Sequence, residues 1–240
     1  MPKLNEYPGK ELEAMAFASN YRRWIMDHLK PFLGRRIVEV GAGMGAFSEL
    51  ILQTQPESLS VLEPSRNMYS HLVAVLERAH KGLVQVRQRD LAGALGDGLP
   101  MQSFDTAVYI NVLEHIDDDE AELETVFSAL SPGGHILIFV PALPFLMSRM
   151  DREIGHFRRY TLKALQAKCS AAGFTIRLSR YFDVIGVLPW WMKYRLLAST
   201  TLEAGAVQFH DRWIVPVSRA VECICRPPLG KNIILVGHKE

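Results

Sequence analysis

A chain of 240 residues with 48% hydrophobic and 22% charged residues has the apolar material for a sizeable core, which excludes a disordered chain or a disulfide-stapled miniprotein. Its 27 basic and 26 acidic residues leave a formal net charge of +1, against the basic excess of a protein that grips nucleic acid through phosphate neutralisation. The three cysteines, Cys169, Cys223 and Cys225, lack paired metal-ligand spacing, so neither a disulfide framework nor a bound metal is predicted.

Residues 1–30 carry scattered charges and no continuous apolar run, so no signal peptide or stable membrane insertion is predicted and the cytoplasm is the expected compartment. No linker or repeat divides the chain, and one domain over 1–240 is expected. Glu11 to Lys30 reads as a helix whose apolar positions include Ala14, Phe17, Tyr21, Trp24 and Leu29. From residue 36 to 140, strands and helices alternate. The predicted strands are Arg36 to Val40, Ser60 to Glu63, Val84 to Gln88, Phe104 to Ile110 and Ile136 to Val140. Helices are predicted over Ala46 to Thr54, Ser65 to Ala79 and Asp118 to Leu130, and Ser131-Pro132-Gly133-Gly134 reads as a turn before the fifth strand. This order is that of a doubly wound parallel sheet in an α/β domain. Thr161 to Ala172 follows as a helix capped by Thr161 and ended by Gly173, then Thr175 to Phe182 as a sixth strand and Asn232 to Gly237 as the last. Residues 183–228 form a long insertion with Trp190, Trp191 and Trp213, too long for a plain connection.

The most informative stretch is Val38-Glu39-Val40-Gly41-Ala42-Gly43-Met44-Gly45, where a strand runs into a helix. Glycines there let the backbone turn tightly and approach a ligand, while the helix N-terminus offers unpaired N–H groups. The spacing is G-x-G-x-G rather than the G-x-G-x-x-G of dinucleotide binding, because position 46 is Ala; nicotinamide or flavin binding remains a loose alternative. Glu63 ends the second strand, where this topology places an acid that accepts from ribose hydroxyls.

Five motifs in order give the chain a resemblance to class I S-adenosylmethionine-dependent methyltransferases. Glu39 to Gly45 resembles the first motif of that family and Leu62-Glu63-Pro64-Ser65 the second. Arg89-Asp90-Leu91 resembles the adenine-binding segment, Phe104-Asp105 with Asn111-Val112-Leu113-Glu114-His115 the fourth-strand motif, and Leu130 to Gly134 the turn after it. The resemblance implies S-adenosylmethionine as cofactor, a seven-stranded sheet of order 3-2-1-4-5-7-6 with the last strand antiparallel, and methyl transfer to O, N or C of a small molecule. It implies that Glu39, Gly41, Ala42, Gly43 and Gly45 surround the amino-acid and sulfonium part. Glu63 and Pro64 would meet the ribose, Asp90 and Leu91 the adenine, and Asn111 and Val112 would close the pocket. The helix within residues 1–35 would be a lid carrying Tyr21 and Trp24, although core packing explains the same stripe.

Methyl transfer is an in-line displacement that needs an aligned acceptor, and a base only where a hydroxyl or amine must lose its proton. His115, near the expected methyl position, is either a base or a structural cap for the helix that starts near Asp117. Gly155-His156-Phe157-Arg158-Arg159-Tyr160 resembles a run in a bacterial branch of the family. It offers His156 and Tyr160 as catalytic candidates and His156, Arg158, Arg159 and Tyr160 as substrate contacts; alternatively the arginines pair with Asp151 and Glu153 to fix the loop. The insertion over 183–228 is a candidate substrate cap, membrane-surface contact or dimer interface, with monomer and homodimer both open. Alternatives in reaction type are non-methylating use of the sulfonium and a cofactor-binding scaffold without activity.

Overall fold

Buried Val and Ile runs from seven short segments make one sheet in the computed structural model, which describes residues 17–240. The strands are β1 (Arg36–Val40), β2 (Ser58–Leu62), β3 (Val84–Arg87), β4 (Phe104–Ile110), β5 (Leu130–Pro141), β6 (Thr175–Phe182) and β7 (Asn232–His238). Their order is β3-β2-β1-β4-β5-β7-β6. The first five run parallel, and β7 lies antiparallel between β5 and β6. Side chains alternate across the sheet, so Val38, Val40, Tyr109 and Ile138 feed one core while Ile37, Val108, Leu137 and Phe139 feed the other. Each such side chain removed from water contributes roughly 1.5–3 kcal/mol.

The helices are α1 (Ser19–Leu29), α2 (Ala46–Leu52), α3 (Arg66–Leu72, continued by a π-helical turn to Glu77), α4 (Leu91–Gly96), α5 (Asp119–Ala129), α6 (Arg149–Glu153) and α7 (Leu162–Ala171). The insertion is itself helical: α8 (Val187–Trp190, continued to Leu196), α9 (Ala204–Phe209, continued to Ile214) and α10 (Val215–Ile224). Thr161 caps α7 as predicted, its Oγ1 accepting from Ala164 N at 3.1 Å.

Two expectations are corrected. Ser131 to Gly134 does not precede β5 but lies within it, as an irregularity where the β4 register passes from Phe104↔Leu130 to Thr106↔His135 and Gly133 takes φ +82°. The expected helix over Glu11 to Lys30 extends in part outside the described residues, and its described portion, α1, is a core element rather than a lid. Tyr21 and Trp24 are buried, Trp24 lies against Phe182 with ring centroids 3.8 Å apart, and Tyr21 Oη donates to Asn232 Oδ1 at 3.0 Å. Asp211, far along the chain, accepts from Asn20 N and Tyr21 N at 3.0 and 2.8 Å, so the insertion satisfies the N-terminus of α1.

Candidate active site

The carboxyl ends of β1 to β4 converge on one edge. After β1, Gly41, Gly43 and Gly45 take φ of +68°, +57° and +80°, a conformation that L side chains resist. A Cβ on Gly41 would meet Val112 Cγ2 at 2.7 Å, so the loop packs directly against the segment after β4. Glu63, buried after β2, accepts from Gly43 N with Oε2 at 2.8 Å and from Ser65 N with Oε1 at 2.9 Å. Each oxygen keeps a further lone pair for a donor. Glu39 is buried beneath the loop and accepts from Ser48 Oγ at 2.5 Å. Burial pushes its carboxyl up to about 7, the Ser48 hydrogen bond opposes the rise and the nearby Glu63 adds to it.

After β3, Asp90 caps α4, its Oδ1 accepting from Gly93 N at 2.8 Å while Leu91 is buried. After β4, Asn111 turns the chain at φ +53° and donates its N–H to Phe139 O at 2.8 Å. A glycine cradle with three acids and an apolar wall at Val112 fits a ligand that carries a cationic amino-acid end, a ribose and a base.

Beyond Val112, a short 3-10 turn carries Glu114 and His115 against the segment that follows β5. Phe157 N donates to Glu114 O at 2.8 Å, and the rings of His115 and His156 meet edge to face at 4.6 Å. His156 Nδ1 lies 3.0 Å from Asp151 Oδ1, and its Nε2 lies 3.8 Å from Glu114 Oε1. Among the described residues neither carboxylate oxygen of Glu114 has a hydrogen-bond partner, and burial pushes that carboxyl up to about 8. Burial, followed by the neighbouring His156, lowers His115 to about 4, so its ring is neutral near pH 7. Although no metal was expected, Glu114, His115 and His156 bring ligand atoms within 4.8 Å of one another, a donor set divalent cations also use.

Asp151 organises this corner. It accepts from Arg159 Nη2 at 2.6 Å and Nε at 3.0 Å, and from Ser148 N at 2.8 Å in the capping box of α6. Against the cost of burial, the His156 contact, then Arg159 and Ser148, hold its carboxyl well below the usual range.

Other candidates are placed differently from expectation. Tyr160 is buried and donates to Asp119 Oδ2 at 2.7 Å. Burial and that carboxylate hold its proton on, which leaves it a structural rather than a catalytic group. Arg159 is locked on Asp151, and Arg158 Nη1 pairs with Asp119 at 2.8 Å, so both guanidiniums fix the loop instead of facing a substrate. Glu153, the partner expected for them, pairs with Arg149. His115 is not a helix cap, because Asp118 caps α5 by accepting from Ala121 N at 3.0 Å. Trp190 lies in the insertion expected as a candidate cap, whereas Lys231 escaped the sequence reading. Arg159 lies 4.8 Å from the Trp190 ring centroid, and Lys231 Nζ lies 4.9 Å from that of Tyr21 and 2.8 Å from Asp183. Both residues line a pocket of about 160 Å³ between α1 and the insertion. Only the crowding of tryptophans hinted at it.

A 3-2-1-4-5-7-6 sheet with a left-handed glycine loop, an acid in its first strand and acids after its second and third defines a class I S-adenosylmethionine-dependent methyltransferase. Residues 14–179 match the family model described as a methyltransferase domain, and the chain belongs to that family. It is 24% identical over 188 residues to a ubiquinone biosynthesis O-methyltransferase of Pseudomonas fluorescens (strain SBW25), a match covering 72% of this chain and 77% of that protein. An S-adenosylmethionine-dependent methyltransferase from Archaeoglobus fulgidus shares the fold with a TM-score of 0.63 at 18% identity, over 95% of this chain and 98% of that one. Another, from Mesorhizobium loti, does so with a TM-score of 0.61 at 18% identity, over 90% and 98%.

Proposed function

We propose that the protein methylates a hydroxyl oxygen of a small cytoplasmic metabolite, with His156 as the base that takes the hydroxyl proton. The observation that carries this reading is the Asp151–His156 contact at 3.0 Å, with the opposite ring nitrogen turned toward His115 and Glu114. S-adenosylmethionine, when bound, supplies an electrophilic methyl group to an aligned acceptor. Glu39, Gly41, Ala42, Gly43 and Gly45 would hold its amino-acid and sulfonium end, Glu63 and Pro64 the ribose, Asp90 and Leu91 the adenine, with Asn111 and Val112 closing the pocket. The Asp151 carboxylate favours the His156 tautomer with its proton on Nδ1, which leaves the Nε2 lone pair to accept the proton of the acceptor. The pocket at Trp190 supports a cap role for the insertion, with room for an apolar part of the acceptor. The O-methyltransferase relative favours oxygen over nitrogen or carbon.

His156→Gln is expected to lower acceptor-dependent turnover by about 10²–10⁴-fold while S-adenosylmethionine affinity in calorimetry stays unchanged. Undiminished turnover would remove His156 from the reaction. Glu63→Ala should weaken cofactor binding by about 1.5–3 kcal/mol, since a charged hydrogen-bond acceptor is lost; equal affinity in the same titration contradicts the ribose role.

Glu39 predicts a pH dependence. Its carboxyl stays protonated in the folded chain up to about 7, whereas the unfolded chain loses that proton near 4.5. Folding stability from this group is therefore present below pH 4.5 and declines as pH rises toward 7, while attraction for a cationic ligand grows over the same window. Calorimetry near pH 6 in buffers of different ionisation enthalpy should detect proton release on cofactor binding. Glu39→Gln should abolish that release.

A further inference from the structure

The insertion turns the apolar side of a helix outward. Along α9 and α10, Phe209, Trp213, Val217 and Val221 recur every four residues and Ile224 follows at three, one continuous helical stripe. Phe209 is 61% exposed, Trp213 57% and Ile224 85%. The inward side is mixed: Val207 and Val215 join the core, and beside them Asp211, Ser218 and Glu222 are also buried. A helix with only its own protein to pack on carries polar residues on its outer side, not a second apolar stripe. This orientation is built in, because Asp211 accepts from the first N–H groups of α1 while Glu222 pairs with Arg180 at 3.2 Å and accepts from Val184 N at 2.9 Å. These buried polar contacts fix the rotation of the helix and so hold the stripe outward. The run after α8 adds exposed Leu196 and Leu197.

Charge selects what covers this face. Between residues 187 and 226 the exposed charged side chains are Arg195, Arg212, Arg219 and Arg226 against one acid, Glu203. Arg219 is paired with Asp27 at 2.8 Å, and Arg212 lies 5.3 Å from the Trp213 ring centroid. A second copy related by a two-fold axis would set this basic patch against itself. A bilayer surface rich in anionic phospholipid takes the apolar stripe into its headgroup boundary and the guanidiniums onto its phosphates. We propose that α9 and α10 dock the enzyme peripherally on such a surface. Among the described residues no helix is long and apolar enough to cross a membrane, so the contact lies along the interface.

The test is flotation of the full-length protein with phosphatidylcholine vesicles, with and without phosphatidylglycerol. The proposal expects at least about tenfold stronger binding to the anionic vesicles, weakened by salt, together with a blue shift of tryptophan emission. Trp213→Glu, and separately Val217→Glu, should abolish flotation while the melting temperature and S-adenosylmethionine affinity remain those of the parent. Arg212→Glu with Arg226→Glu should reduce binding to anionic vesicles alone. Equal binding to both vesicle types overturns the proposal, as does a stable dimer in light scattering that Trp213→Glu converts to monomer and that does not float.

Discussion

Asp151→Ala is expected to lower the unfolding free energy by about 3–5 kcal/mol, the range for removing one partner of a buried ion pair. The side chains of Asp151 and Arg159 are 0% and 2% exposed. Deleting the carboxylate leaves a guanidinium buried with Ala142 O at 3.2 Å and the Trp190 face as its remaining partners. It also strips the capping box of α6 and the acceptor for His156. The depressed carboxyl sets the pH dependence. Its stabilisation is complete above the unfolded value near 3.8 and is lost as pH falls through the lower folded value. Urea unfolding of parent and variant at about pH 7 and again at about pH 3 measures both effects, and the gap should narrow at the lower pH. A loss below about 1 kcal/mol at neutral pH would mean that Asp151 is solvated as an ordinary surface acid.

Gly43→Val is expected to reduce S-adenosylmethionine affinity at least about 100-fold, near 2.7 kcal/mol. At φ +57° a β-branched residue strains the backbone, and the N–H that Gly43 donates to Glu63 moves with it. The added side chain would also occupy the cradle. Gly82→Val is the control, since Gly82 has φ +82° and a Cβ added there would meet nothing within 4 Å: comparable strain, no effect on affinity. Calorimetric titration of the two variants separates backbone strain from loss of the site, and an unchanged Gly43→Val would reduce the loop to a turn.

What could be read from sequence was what the backbone dictates. β1, β4 and β6 begin and end where their Val, Ile and aromatic runs do, and the glycine loop and Glu63 lie where a strand-to-helix turn must put them. α4 escaped because Leu91-Ala92-Gly93-Ala94-Leu95-Gly96 carries two glycines that propensity reads as breakers, whereas the Asp90 cap starts the helix regardless. The helices of the insertion went unassigned although Phe209, Trp213, Val217 and Val221 recur at helical spacing; that the stripe faces outward could not be read from that spacing. Within the site, the errors fall on side chains whose role depends on distant partners. Tyr21 and Trp24 form the same stripe whether they cover a ligand or pack on Phe182, and Tyr160 looks like a catalytic phenol until Asp119 is found beside it. His156 and Asp151 lie five residues apart, yet their contact depends on Gly155 turning at φ +91°.

The most direct test of methyl transfer to an external acceptor is mass spectrometry of the nucleoside product after incubation with S-adenosylmethionine, alone and with cell extract. S-adenosylhomocysteine that forms only with extract is the predicted result. Methylthioadenosine formed without extract would contradict it, because the sulfonium would then react at a carbon other than the methyl.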